Sequence, residues 1–260
     1  ADPIIVHPDV RRMLMDARAY TEGMRALVLW GAIRVDLSRK APDAAEREMA
    51  DDLISLLTPV IKGYGTDRGY EVATNCQQVL GGHGYIAEWG MDQFVRDARI
   101  AMIYEGTNGI QALDLVGRKL GSKGGRGTQA WLGLVAGDIA AAKDERLAFI
   151  AQPLAKALGD VQAGVMWLLQ NGMANPDNAG AGATAFMRMM GHVALGHMWL
   201  KMAAASLAAL DAGTADPDFH NAKLTTARFF AARVLPETAS LKAQLEAGAD
   251  TVMALPAEMF

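Results

Sequence analysis

Cysteine is almost absent from this chain of 260 residues: Cys76 stands alone, so no intrachain disulfide can form and a thiolate metal cluster lacks its ligands. That usage fits a reducing compartment, and a cytoplasmic location is the expectation. Dense blocks of lysine and arginine are missing too. With 25 basic against 29 acidic residues and a net charge of −4, no electropositive surface suits nucleic acid or an anionic membrane. Long apolar runs are lacking as well. The two longest, 130–142 and 198–210, are broken by Asp138 and Lys201 and fall short of the roughly 18–20 residues of a membrane span, so none is expected. No stretch alternates apolar with polar residues long enough to read as a strand, and no repeat of 20–50 residues points to a solenoid.

What is present is helical. Half of the residues are apolar, ample for one or two cores, and alanine, leucine and methionine dominate. After Pro8, the positions Val10, Met13, Leu14, Ala17, Met24, Leu27, Val28, Gly31 and Val35 recur at spacings of three and four. Arg11, Arg12, Asp16, Arg18, Glu22 and Arg25 fill the opposite face, predicting one amphipathic helix of about 30 residues. Pro42 and Asp43 open a second helix towards Leu80, bent at Pro59. Short helices over 92–100 and 107–120 follow, and Thr107 is placed to cap the latter. The glycine-rich run 121–127 reads as a linker. Beyond it come four helices, over about 128–143, 146–171, 181–212 and 217–247, the last bent at Pro236. The expectation is an all-α protein: an antiparallel helical bundle over 1–120, the linker 121–127, and a second helical bundle over 128–260.

Chemistry concentrates in 78–120. Gly81, Gly82 and Gly84 interrupt the chain with three residues lacking a β-carbon, which suits a helix stop or close approach of a ligand or another backbone. The order rules against a phosphate loop, since no strand precedes and no Lys-Ser/Thr ending follows. Glu105 comes after the apolar run Ile100-Ala101-Met102-Ile103 and two residues before the Thr107 cap. Desolvation raises a carboxylate pKa and a helix N-terminus lowers it, a setting that serves a general base as well as a simple dipole partner. Other candidates reduce to packing or solvent. His192 and His197 lie five residues apart, about 140° around a helix, and face no common metal. No Glu-x-x-His occurs, against a di-iron bundle. Lys119, Lys123 and Arg126 could meet a phosphate or, more simply, decorate a solvated linker. Trp131, Trp167 and Trp199 fall on core or interface stripes, His83 on a tolerant loop position, and Cys76 reads as an inert buried thiol.

Two motifs, Gln-x-x-Gly-Gly-x-Gly-aromatic at 78–85 and Tyr-Glu-Gly-Thr at 104–107, lie in register with Arg96-Asp97 between them. In this the chain resembles the C-terminal helical domain of the acyl-CoA dehydrogenases, over about residues 7–120. The tail after the linker resembles that of a longer subgroup, which includes 3-methylmercaptopropionyl-CoA dehydrogenases. The resemblance implies oxidation of an acyl-CoA thioester to 2-enoyl-CoA. Glu105 would take the α-proton, the β-hydride would go to N5 of FAD, and Tyr104 would line the substrate. It further implies that Gln78, Gly81 and Gly82 contact FAD across a subunit interface, and that Thr107, Asn108 and Gly109 contact it at a helix start. Two features depart from the family. Gln93 stands where many members carry a basic residue, and the N-terminal helical and middle β-domains have no counterpart. With Ala1 as its first residue, the chain is expected to be a piece of a longer enzyme, colourless and inactive alone, with an electron acceptor serving the parent. Its uncovered apolar face predicts a homodimer or higher assembly. The alternative is a non-catalytic helical interaction module.

Overall fold

In the computed structural model, which describes residues 2–260, two long helices form the first layer. Helix α1 (Pro8–Lys40) and α2 (Ala44–Val79) are joined by three residues and pack along their length. Pro8 occupies the first turn of α1, and the Asp43 carboxylate accepts from Glu46 N–H (3.0 Å) to cap α2. Helix α2 runs through buried Pro59 without ending. There follow the single turn α3 (Gly82–Tyr85), α4 (Met91–Ala101) and α5 (Asn108–Asp114), whose end widens into a π-helical turn over Leu115–Lys119. The second half comprises α6 (Arg126–Ala141), α7 (Ala148–Trp167, again ending in a π-helical turn), α8 (Pro176–Asp211), α9 (Pro217–Arg233), α10 (Glu237–Glu246) and the single turn α11 (Asp250–Met253). No strand occurs among the described residues, and the all-α class holds. The expected helix over 217–247 is in fact two helices, because a proline at 236 removes an amide donor and the turn 234–236 redirects the chain.

Helix α8 is the axis of the molecule. Every residue from 189 to 200 is buried, the pattern of a helix surrounded on all sides. It packs on α1, α2 and α5 from the first half and on α7, α9 and α10 from the second. Close approach is built into its sequence: Gly191 lies flat against the Tyr64 ring of α2, and Gly23 of α1 faces Trp199. The Trp199 indole N–H donates to the Ala19 carbonyl (3.2 Å), satisfying a donor that is wholly buried. One apolar cluster therefore runs from Ala19 to Leu245 across both halves. By length and composition alone α8 would pass for a membrane span, which the reading of uninterrupted runs overlooked. Its apolarity has another cause, since 61% of its most apolar window is enclosed by the other helices.

The linker is not a solvated tether. Lys123, Gly124 and Gly125 take left-handed conformations that fold it onto α2. There the buried Asp52 carboxylate accepts from Lys123 Nζ (2.8 Å) and from the Arg126 guanidinium, which also reaches Glu48 (2.6 Å). Lys119 donates to Ser55 (3.1 Å). Lys123 and Arg126 thus neutralise carboxylates of α2. The pairing holds the Asp52 carboxyl below its usual range, against the opposing effect of its burial. His192 and His197 are likewise committed separately, to Glu237 and to Asp138. Trp131 and Trp199 are core residues, Trp167 is partly buried, His83 stacks edge-on against Trp89, and Cys76 is half-buried, its thiol pushed up by burial.

Candidate active site: the Glu105 turn

Helix α4 unwinds at its end. Ile103 and Tyr104 both donate to the Ile100 carbonyl (2.9 and 3.2 Å), and the chain then turns through two successive left-handed residues, Glu105 (φ 54°) and Gly106 (φ 84°). Glycine tolerates that region, whereas glutamate adopts it at a cost of about 1–2 kcal/mol. The turn closes when Asn108 N–H donates to the Met102 carbonyl (3.1 Å). Thr107 caps α5 by accepting from Ile110 N–H (3.3 Å), and Gln111 Nε2 donates to the Glu105 carbonyl (3.2 Å).

Helix α2 supplies the anchor. Lys62 Nζ donates to the Gly106 carbonyl (2.7 Å) and to Asn108 Oδ1 (2.9 Å). The Asn108 Nδ2 donates in turn to Asp67 Oδ1 (2.7 Å) and to Thr66 Oγ1 (2.9 Å). Lys62 and Thr66, four residues apart, fall on one face of the helix, and Asp67 reaches Asn108 from its flank. Glu105 and Tyr104 are thereby displayed at the surface on a fixed base, and the N–H of Glu105 has no partner among the described residues.

Asn108, expected at the cofactor, has internal surroundings. It is buried, and both its side-chain amide and its backbone N–H are occupied inside the chain. Thr107 and Gly109 remain exposed at the mouth of α5. At the other motif, Gly81 is left-handed with ψ −141°, a region open essentially to glycine. Gly84 is required as well, because a β-carbon there would come within 2.3 Å of the Gln77 carbonyl oxygen. Gly82 has nothing near it, and Gln78 is exposed. This open backbone, together with the Gln78 amide, fits the approach of a flat polar cofactor such as FAD. Gln93, at the position usually basic, donates to Asp97 (2.7 Å).

One chain does not bring its two motifs together. Gln78 lies 16 residues beyond Lys62 on α2, about 24 Å along the helix. Between them lies uncovered apolar surface, with Tyr85 80%, Phe94 66% and Trp89 59% exposed. Sequence reasoning missed Lys62, Thr66 and Asp67. The i, i+4 spacing of the first two marks a shared helix face but not what it holds.

A left-handed glutamate displayed from a helical bundle, with a glycine turn facing outward elsewhere on the same bundle, defines a class, and comparison with known proteins bears on it directly. Residues 1–120 match the acyl-CoA dehydrogenase C-terminal domain, and residues 131–256 match the domain described as acetyl-CoA dehydrogenase C-terminal like. The chain belongs to the acyl-CoA dehydrogenase family, of which it carries the C-terminal helical domains. It is 40% identical over 258 residues to 3-methylmercaptopropionyl-CoA dehydrogenase of Ruegeria pomeroyi, covering 97% of this chain and 43% of that protein. To the broad-specificity linear acyl-CoA dehydrogenase FadE5 of Mycobacterium tuberculosis it is 34% identical over 268 residues, covering 98% and 43%. The chain thus spans less than half the length of these curated relatives. Among solved structures, an acyl-CoA dehydrogenase complexed with FAD from Bacillus anthracis superposes with a TM-score of 0.65 at 15% identity, over 97% of this chain and 44% of that one. That likeness is one of fold.

Proposed function

We propose that this chain forms the base-bearing helical part of an acyl-CoA dehydrogenase and works within a longer protein. The observation that carries the reading is the Glu105 turn: a carboxylate held in a left-handed conformation, with its own N–H unpartnered. The Glu105 carboxylate accepts the proton from the carbon next to the thioester carbonyl. Its N–H donates to that carbonyl oxygen, stabilising the negative charge that develops there and so easing loss of the proton. Tyr104, exposed alongside, lines the acyl portion. FAD, held by Gln78, Gly81 and Gly82 and by Thr107 and Gly109, supplies the hydride acceptor when bound. Gln78 lies about 24 Å along α2 from Lys62, the anchor of the Glu105 turn, so the two motifs serve one cofactor when two copies of the chain each contribute one. The exposed Tyr85, Trp89 and Phe94 are the surface such an assembly covers.

The test is Glu105→Gln in the full-length protein. Turnover of acyl-CoA is expected to vanish while flavin absorbance and α-helical content stay; undiminished turnover refutes the assignment. The second reading, an interaction module without catalysis, is favoured by the same apolar face. It predicts self-association of the chain with no flavin bound by the full-length protein.

A further inference from the structure

Lys62 makes two of the shortest contacts in the Glu105 turn yet touches none of the groups assigned to substrate or cofactor. Its ammonium bridges the carbonyl of Gly106 (2.7 Å) and the side-chain oxygen of Asn108 (2.9 Å), on either side of Thr107. The Asn108 amide passes this on to Asp67 (2.7 Å), so a cation and a carboxylate on α2 grip one amide from its two ends. Charge-assisted bonds of this kind are shorter and stiffer than neutral ones. The grip also orients Asn108, whose oxygen must face Lys62 and whose nitrogen must face Asp67. Without it, the turn rests on the Asn108–Met102 bond, on the Gln111 side chain and on the neutral contacts between Asn108 and Thr66, while left-handed strain at Glu105 favours relaxation.

We infer that Lys62, acting through Asn108 and Asp67, is a positioning residue that fixes the main chain of Glu105 for proton abstraction. The inference rests on the reading of Glu105 as the base. Displacement of a reacting group by about 1 Å costs on the order of a hundredfold in rate. In the full-length protein, Lys62→Met should therefore lower kcat about a hundredfold and leave KM within about threefold, because substrate-binding surface is untouched. The isotope effect of α-deuterated substrate should rise as proton abstraction becomes limiting. Independently of activity, the Asn108 amide in the 260-residue chain should exchange with solvent about tenfold faster in Lys62→Met.

Asn108→Asp sets a second carboxylate against Asp67 and should impair turnover similarly. Adding Asp67→Asn restores a donor facing an acceptor, and with it most of the activity. A purely structural role would not produce that rescue. The pair of variants also decides the matter should Lys62→Met fail to fold. Wild-type kcat and unchanged Asn108 exchange in Lys62→Met overturn the inference, as does a double variant no better than Asn108→Asp. Glu105→Gln separates the two claims. If it is inactive while Lys62→Met is normal, only the positioning role falls; if it is active, the base assignment falls first.

Discussion

Acid should loosen this fold through His192, and the structure sets the size and window of the effect. His192 lies on α8, wholly enclosed, with Nδ1 2.9 Å from the Tyr64 hydroxyl on α2 and Nε2 3.1 Å from a Glu237 oxygen on α10. Glu237 can only accept, so Nε2 carries the proton and Nδ1 accepts from Tyr64. Burial pulls the imidazole below its ordinary value; Glu237 opposes this, and Arg68 and Arg188 reinforce it. Protonating Nδ1 would also strand the phenol proton, and burial holds the Tyr64 phenol in its protonated form well above its usual range. The unfolded histidine titrates near 6.5. The unfolded state therefore binds more protons than the folded one below that pH, and stability falls as pH drops. The slope from this one group is at most about 1.4 kcal/mol per pH unit, beginning near pH 6.5 and ending at the depressed folded value. His197, also lowered chiefly by burial, acts in the same direction, so the contribution of His192 is isolated by difference. Denaturant unfolding of wild type and His192→Gln at steps from pH 8 to 5 provides it. The glutamine oxygen can accept from Tyr64 and its nitrogen can donate to Glu237, so the variant should fold yet show a shallower acid slope. Parallel curves would refute the reasoning.

Two further perturbations follow from backbone and packing geometry. Glu105→Gly should raise the melting temperature by about 2–4 °C, corresponding to relief of about 1 kcal/mol of left-handed strain, while abolishing turnover; no rise in thermal unfolding would mean the turn is unstrained. Gly191→Ala should destabilise by about 3 kcal/mol or more, since its β-carbon would sit 2.3 Å from the buried Tyr64 ring, and calorimetry showing a melting point within about 1 °C of wild type would contradict that packing.

Helices were legible wherever one face repeated. The stripe from Val10 to Val35 anticipates α1 almost to its ends, and Asp43 and Thr107 cap where their side chains allow. What escaped was anything set by a distant partner. Nothing in the sequence marks Asp52, and only the folded chain brings Lys123 and Arg126, more than 70 residues on, against it. The run 121–127 has a linker's composition, yet its glycines serve a tight fold-back rather than freedom. The apolar run of α8 was underestimated because Lys201 interrupts it. That lysine lies at the surface beside Asp138, while the residues just before it are all core.

The site divides along the same line. Glu105 and the glycines belong to a local motif, so they could be singled out without coordinates; Lys62 and Asp67, each more than 40 residues upstream of the group it bonds, could not. Asn108 shows why. Placed at a helix mouth beside the motif, it has the chemistry of a ligand contact, but its donors and acceptor already belong to α2 and to Met102. That arrangement also accounts for the left-handed glutamate. A non-glycine residue at positive φ persists only where its surroundings over-determine it. Here Gln111 holds the carbonyl of Glu105, Lys62 holds that of Gly106, and Asn108 is held at both ends. Glycine at 105 would make the same turn with less strain and without those tethers. A carboxylate kept where glycine folds more easily points to selection for the chemistry of the side chain rather than for the stability of the loop.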